Sequence, residues 1–276
     1  MGDKRALVLG GGGVTGIAWE IGIVHGLAEA GIDLAGADLL VGTSAGSVVA
    51  AQIAGGEPLS ELYAGQLRPA GNEIAARLTY GMLARYALAY ALPGSGAQKR
   101  ARLGRAAMRA RTVSEAERRK VFDGRLAQNG WPSRDLRVTA VNAETGAFTV
   151  FSRDSGVPYV DAVAASCAVP LVWPPVTIDG NRYMDGGMRS PANVDLAAGY
   201  DHVVVIAPIT RAFNPAARPD SQAAALDAHT IVLSPDGAAL AAIGSNVLDP
   251  ARRGPSAQAG FAQARVVASA VSEVWG

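Results

Sequence analysis

Two stretches and one carboxylate in this chain are placed where they could do acyl chemistry. Ser44 stands in Gly42-Thr43-Ser44-Ala45-Gly46, directly after the apolar run Leu39-Leu40-Val41. A serine on a sharp strand-to-helix turn holds its hydroxyl clear of a sheet, and the flanking glycines leave room where side chains would clash. Backbone N–H groups at the start of the following helix point at whatever binds there. Ser44 is therefore the candidate nucleophile. The second stretch, Gly10-Gly11-Gly12-Gly13-Val14-Thr15-Gly16, follows another apolar run, Ala6-Leu7-Val8-Leu9. Such a loop can gather N–H groups around an anion. Gly11, Gly13 and Gly16 also fit a dinucleotide fingerprint, with Asp33 and Asp38 about twenty residues on. That site wants its acid at the end of the second strand, where this chain has Gly42-Thr43-Ser44. The oxyanion-hole reading is the stronger one.

A serine nucleophile needs a group to accept its proton. The chain has three histidines, His25, His202 and His229. His25 falls within the first helix, and the other two open or precede strands. A triad of Ser44, Asp185 and then His202 or His229 has the chain order of an α/β-hydrolase, but here the elbow follows only the second strand. The alternative is a carboxylate acting directly. Asp185, in Asp185-Gly186-Gly187 after Arg182-Tyr183-Met184, sits at a strand end from which it could reach the elbow.

The elements that must position these groups can be read in order. Ala6–Leu9 is a wholly apolar strand of the kind buried on both faces of a parallel sheet. A helix carrying Ile17, Ile21, Val24, Leu27 and Ala28 on one face follows the glycine loop and ends at Gly31. An alanine-rich helix runs from Ser44 to about Ala54. From about Leu59 to Arg119 the chain reads as less regular helix. Within it, the apolar and aromatic stretch from Ile74 to Leu92 contains Arg77 and Arg85, which argues against a membrane span. A packed core helix is the common explanation of such a stretch, and an acyl-binding cap or interfacial segment is the alternative. Leu136–Asn142 and Ala147–Phe151 form a hairpin, Val157–Cys167 a helix, and Val176–Ile178 and Arg182–Met184 a second hairpin. His202–Ala207 and Thr230–Leu233 are further strands, and helices fill Gly237–Leu248 and Pro255–Val274.

The 276 residues suffice for a large α/β domain, and 49% are apolar. The net charge of +1 says nothing about nucleic acid or membrane, and a nucleic-acid partner is not expected because the basic stretch lacks aromatic interleaving. Lys99 to Lys120 is nevertheless rich in Lys and Arg; a solvated helix face is the first reading, and contact with anionic lipid the second. One cysteine, Cys167, excludes an intramolecular disulfide. No secretory leader is visible, and Ala6 stands where myristoylation after Gly2 wants Ser or Thr. A cytoplasmic location is expected, peripheral at the membrane if the basic stretch meets lipid. No cluster has metal-ligand spacing, so neither metal nor cofactor is expected.

Gly11-Gly12-Gly13-Val14-Thr15-Gly16, Gly42-Thr43-Ser44-Ala45-Gly46, Ala165-Ser166-Cys167-Ala168-Val169-Pro170 and Asp185-Gly186-Gly187 occur in this order. Together they resemble the bacterial patatin-like phospholipases, from about Arg5 to Pro208. The resemblance implies a three-layer α/β/α sandwich with a mainly parallel central sheet, formed as a single domain over 1–276 with a cap-like helical insertion at about 59–120. It also implies a lipid acyl hydrolase working through a Ser–Asp dyad. Ser44 would be the nucleophile and Asp185 its base, with N–H groups of Gly11, Gly12, Gly13 and Val14 as the oxyanion hole. Gly16, Gly42, Gly46, Gly186 and Gly187 would support the motifs. The expected partner is a lipid or other fatty acyl ester. Many members carry Arg or Lys where this chain has Thr15. An acyltransferase and a non-catalytic lipid-binding or regulatory module remain the alternatives.

Overall fold

The computed structural model describes residues 3–69, 73–126 and 130–276. The readings that touch Gly2 and the helical reading across 70–72 lie outside these residues. In chain order the elements are β1 (Arg5–Leu9), α1 (Gly13–Glu29), β2 (Leu39–Gly42), α2 (Ala45–Ala54), α3 (Leu59–Leu67), α4 (Tyr80–Ala91), α5 (Gly96–Met108) and α6 (Glu115–Asp123). There follow β3 (Asp135–Asn142), β4 (Phe148–Phe151), α7 (Tyr159–Ser166), β5 (Val176–Ile178), β6 (Asn181–Asp185), β7 (His202–Ile206), α8 (Pro219–Ala223), β8 (His229–Leu233), α9 (Gly237–Ile243) and α10 (Arg253–Trp275).

The strands form one mixed sheet, β5-β6-β3-β2-β1-β7-β8, with β4 paired to β3. β3, β2, β1, β7 and β8 run parallel, whereas β4, β5 and β6 are antiparallel to their partners. Alternation along the central strands divides the core into two layers. Leu7, Leu9, Leu40, Val204 and Ile206 face α1, α2, α7 and α10. Ala6, Val8, Leu39, Val41, Val203 and Val205 face the segment around Ala192–Ala197 and α8. Helices thus flank both faces, unevenly, and the second layer is built of short pieces. β1 is fully buried from Ala6 on, as an all-apolar strand flanked on both sides must be.

Register brings the far end of the chain to the elbow. On β3, Val138 pairs with Gly42 of β2 on one edge and Phe151 of β4 on the other. Ala140 pairs with Thr149 of β4 and, on its remaining edge, with Asp185 of β6. A strand residue has only two edges. β2 and β6 therefore share one edge of β3 and meet with their C-terminal ends facing, about 7 Å apart for two residues of rise.

Within the 59–120 stretch, α3 packs on α1 and α10, while α4 packs on α5. The expectation that Ile74–Leu92 is a packed core helix is corrected here. Residues 73–79 are not helical, and within α4 only Tyr86 and Ala89 are buried. Tyr80 is 92% exposed, Leu83 47% and Leu88 60%. The apolar residues outnumber the single stripe with which a helix can reach a core. The basic run is also not one solvated face: Arg105, Arg109, Arg111 and Lys120 are exposed, but Arg118 is buried and stacks on Trp173 at 4.0 Å. α7 begins at Tyr159 rather than at Val157, with Pro158 at its N-cap.

Candidate active site

β2 ends at Gly42 because the next residues turn sharply into α2. Ser44 takes φ 52° and ψ −118°, a region costing a non-glycine residue about 1–3 kcal/mol. The surroundings over-determine it. Its N–H donates to Ser166 Oγ at 2.9 Å, and its carbonyl accepts from Ser47 Oγ at 2.7 Å and Cys167 Sγ at 3.1 Å. Burial pushes the Cys167 thiol up to about 11, so it remains a donor at neutral pH. The two flanking glycines are required by contact. A Cβ on Gly46 would lie 2.1 Å from Leu9 O, and one on Gly42 would lie 2.4 Å from Ser47 Cα. Gly46 N–H in turn donates to Gly10 O at 2.9 Å, tying the elbow to the glycine loop.

That loop ends β1 and starts α1. Its N–H groups divide into committed and free. Gly10 donates to Ile206 O at 2.9 Å, Gly11 to Pro191 O at 2.8 Å and Thr15 to Val247 O at 3.2 Å. Among the described residues, the N–H groups of Gly12, Gly13 and Val14 have no acceptor, and neither does that of Ala45. These are the groups a helix leaves unpaired at its first turn. Gly11 differs from its three neighbours. Its N–H is occupied, and its place is steric, since a Cβ there would stand 3.4 Å from Ser44 Cβ. Gly12 could carry no side chain, because a Cβ would lie 2.5 Å from Pro208 Cβ. Gly16 packs near Pro208 and Ala45. Thr15 Oγ1 donates to Val247 O at 3.1 Å, which leaves the loop without a cationic side chain.

Asp185 arrives from the opposite direction and is 3% exposed. Its N–H donates to Ala168 O at 3.0 Å, and Gly187 N–H donates to its Oδ1 at 2.7 Å. Burial raises its carboxyl to about 6, against the smaller lowering effects of the nearby Ser44 hydroxyl and of the Gly187 N–H. A Cβ on Gly186 would meet Thr139 Oγ1 at 2.3 Å, so the turn after Asp185 lies flat on β3. Beneath it, Thr139 Oγ1 donates to Thr43 Oγ1 at 2.9 Å, and Asn193 Nδ2 donates to the same oxygen at 3.0 Å. This buried network joins the turn after β2 to the turn after β6.

Ser44, Asp185 and Gly11–Gly13 line one cavity of about 690 Å³. Tyr86, Val169, Met188, Phe213 and Leu248 supply apolar wall. Tyr90 of α4 stacks on Phe213 with ring centroids 3.9 Å apart, so α4 and the 209–217 loop meet across the cavity. No histidine lines it. His25 packs among Tyr63 and Phe261. His202 Nδ1 is 2.6 Å from Val274 O at the far end of β7, and His229 stacks on His202. Sequence reasoning missed the roles of Ser166 and Asn193. Ser166 lay within a quoted motif without an assigned task. The left-handed backbone of Asn193, φ 53°, suits Asn better than most side chains, but one Asn among loop residues gives no signal.

No curated protein matches the chain. Among solved structures it is similar to VipD from Legionella pneumophila, with 14% identity, a TM-score of 0.49, and coverage of 98% of this chain and 67% of that one. It is also similar to the type III effector protein ExoU, with 18% identity, a TM-score of 0.43, and coverage of 99% of this chain and 54% of that one. The family model described as patatin-like phospholipase matches residues 7–198, a span holding the glycine loop, the elbow, Ser166 and Asp185, and the chain thus belongs to the patatin-like phospholipase family.

Proposed function

We propose that the protein hydrolyses fatty acyl esters of lipids with Ser44 as nucleophile and Asp185 as general base. The observation that carries this is the convergence of a strained, buried serine and one buried carboxylate on a single cavity whose lining, among the described residues, includes no histidine. Asp185 takes the proton as Ser44 Oγ attacks the ester carbonyl. The negative charge then developing on the carbonyl oxygen is met by the free N–H groups of Gly12, Gly13 and Val14 and by the start of α2, each such donor being worth about 3–4 kcal/mol of barrier. The alcohol leaves with the proton. Water, deprotonated by Asp185, then attacks the acyl-serine, releasing the fatty acid and restoring the Ser44 hydroxyl. A carboxyl held near 6 is a better base than an ordinary Asp and is still ionised at neutral pH.

We assign α4 and α5 as a cap over this cavity within a single domain, and the exposed Tyr80, Leu83 and Leu88 as its contact with a lipid surface. Tyr86 and Tyr90 on the same helix line the cavity. Among the described residues no helix is long and apolar enough to cross a membrane, so this contact is peripheral.

The test is hydrolysis of a chain-length series of p-nitrophenyl esters. Ser44→Ala and Asp185→Asn are expected to lose activity by about 10³-fold or more, and a variant replacing His25, His202 and His229 together is expected to keep it. Loss of activity in a folded histidine variant would bring back a triad. A wild-type protein inactive on every ester would favour a binding module, and transfer of the acyl group to added glycerol or lysolipid in preference to water would make it an acyltransferase.

A further inference from the structure

The cavity is not electrically balanced. Besides Asp185, its charged lining consists of Lys99, Arg100, Arg189 and Arg211. Arg189 is already satisfied. It is held bidentately by Asp195 at 2.8 and 2.6 Å, donates to Asn193 at 2.9 Å and lies over the Phe148 ring at 4.2 Å. Lys99, Arg100 and Arg211 have no acidic partner among the described residues.

Arg100 is the cation whose place is built. It projects from the first turns of α5, half-buried, and its Nε donates to Gly146 O at 2.8 Å. That fixes one edge of the guanidinium and leaves its two terminal nitrogens without a protein acceptor among the described residues. The Gly146 turn is itself pressed against α5, since a Cβ on Gly146 would lie 1.9 Å from Ala97 O. Burial disfavours the charge on Arg100, the Tyr90 hydroxyl offsets part of that, the neighbouring Arg189 adds to it, and no carboxylate pairs with the guanidinium among the described residues. A half-buried guanidinium without a carboxylate partner is costly. A phosphate arriving with a ligand would supply the missing charge, and the planar fork suits its bidentate geometry. The glycine loop offers the ester carbonyl its N–H groups and carries no cationic side chain, since Thr15 is neutral.

We propose that Arg100, assisted by Lys99 and Arg211, forms an anion subsite that selects acyl esters whose alcohol half carries a phosphate, as in an anionic phospholipid. This rests on the hydrolase reading above and deepens it. The apolar wall of Tyr86, Met188 and Leu248 takes the acyl chain, and Arg100 holds the head group. Arg100 is then a specificity-determining residue that takes no part in the proton transfers.

The experiment compares wild type and Arg100→Gln on dihexanoyl phosphatidylglycerol, kept monomeric so that surface recruitment plays no part, and on neutral p-nitrophenyl hexanoate. Arg100→Gln is expected to raise KM for the phospholipid about tenfold, with kcat within about twofold and the neutral ester turned over as by wild type. Inorganic phosphate should compete with the phospholipid in wild type and not in the variant. Without that competition, the subsite reads the glycerol-linked lipid head group rather than phosphate alone. An unchanged KM overturns the proposal, as does an equal loss on both substrates, which would make Arg100 structural. Binding separates the two readings. Calorimetry of dihexanoyl phosphatidylglycerol on Ser44→Ala and on Ser44→Ala with Arg100→Gln reads the subsite without turnover. Tighter binding to the single variant supports the subsite even if the wild type proves inactive, and equal binding overturns it.

Discussion

In the proposed mechanism Asp185 links chemistry and stability through one proton. Its carboxyl rises from 3.8 to about 6 on folding because it is buried. In the proposed mechanism Asp185 must be ionised to act as base, so kcat/KM on a neutral ester is expected to rise with pH and level off above about 6. The stability effect has the opposite direction. The folded state binds the proton more tightly than the unfolded chain, so stability falls as pH rises through the window from about 4 to 6. Asp185→Asn removes that dependence. Its stability relative to wild type, measured by denaturant titration, should increase by up to about 3 kcal/mol between pH 4 and pH 8. A pH-independent difference would mean that Asp185 is not the buried base described. Glu20 of α1 is a second buried acid. It is fully buried, neither carboxyl oxygen has a partner within hydrogen-bonding geometry among the described residues, and burial raises its pKa well above 4.5, against a smaller lowering by the nearby Gly10 N–H. Glu20→Met, of similar size, is expected to be more stable than wild type at pH 8 by about 1–2 kcal/mol. The gain should shrink as pH falls and the wild-type carboxyl becomes neutral in both states.

Among the elements, the elbow depends on two kinds of support that should respond differently. Gly46→Ala places a Cβ against the backbone of β1, 2.1 Å from Leu9 O, and neither strand nor helix can retreat without breaking the sheet. A loss above about 3 kcal/mol, read as a lowered thermal midpoint or as insoluble protein, is expected. Ser166→Ala instead removes the acceptor of Ser44 N–H. It should cost about 1–3 kcal/mol and lower kcat more than it raises KM, because the strained backbone that aims the hydroxyl loosens. The elbow, the glycine loop and most central strands were legible because each rests on local patterns. Leu39–Val41 and Ala6–Leu9 are continuous apolar runs, and the glycines mark backbone contacts. What was not legible depends on tertiary context. The apolar face of α4 reads as core material, yet it is exposed, since a pattern of Leu and Tyr does not say what the helix lies against. The commitment of Gly11 N–H to Pro191 O likewise comes from a segment distant in the chain, and nothing within the glycine tract separates Gly11 from Gly12.

For the whole molecule, the cavity mouth and α4 form one surface. Leu78, Ile209 and Phe213 line the cavity while remaining 38%, 39% and 57% exposed, next to the exposed face of α4. Replacing Tyr80, Leu83 and Leu88 together by Ser is expected to reduce turnover of phospholipid in vesicles about tenfold and to leave turnover of monomeric p-nitrophenyl hexanoate unchanged. Equal rates on vesicles before and after the replacement would remove the interfacial role of α4. The arrangement of the sheet bears also on how the molecule is made. β1, α1, β2 and α2 are consecutive and can dock early, but Ser44 is held by Ser166, 122 residues further along, and Asp185, the base proposed for it, comes on β6, which follows α7 and β5 in the chain. Contacts of such long sequence separation are slow to close. During refolding from denaturant, helical signal should therefore return before esterase activity, and the interval between the two would time the arrival of β6 at the end of β2. A nascent chain emerging in sequence would carry the elbow segment without the later residues that hold its strained backbone until that last junction closes.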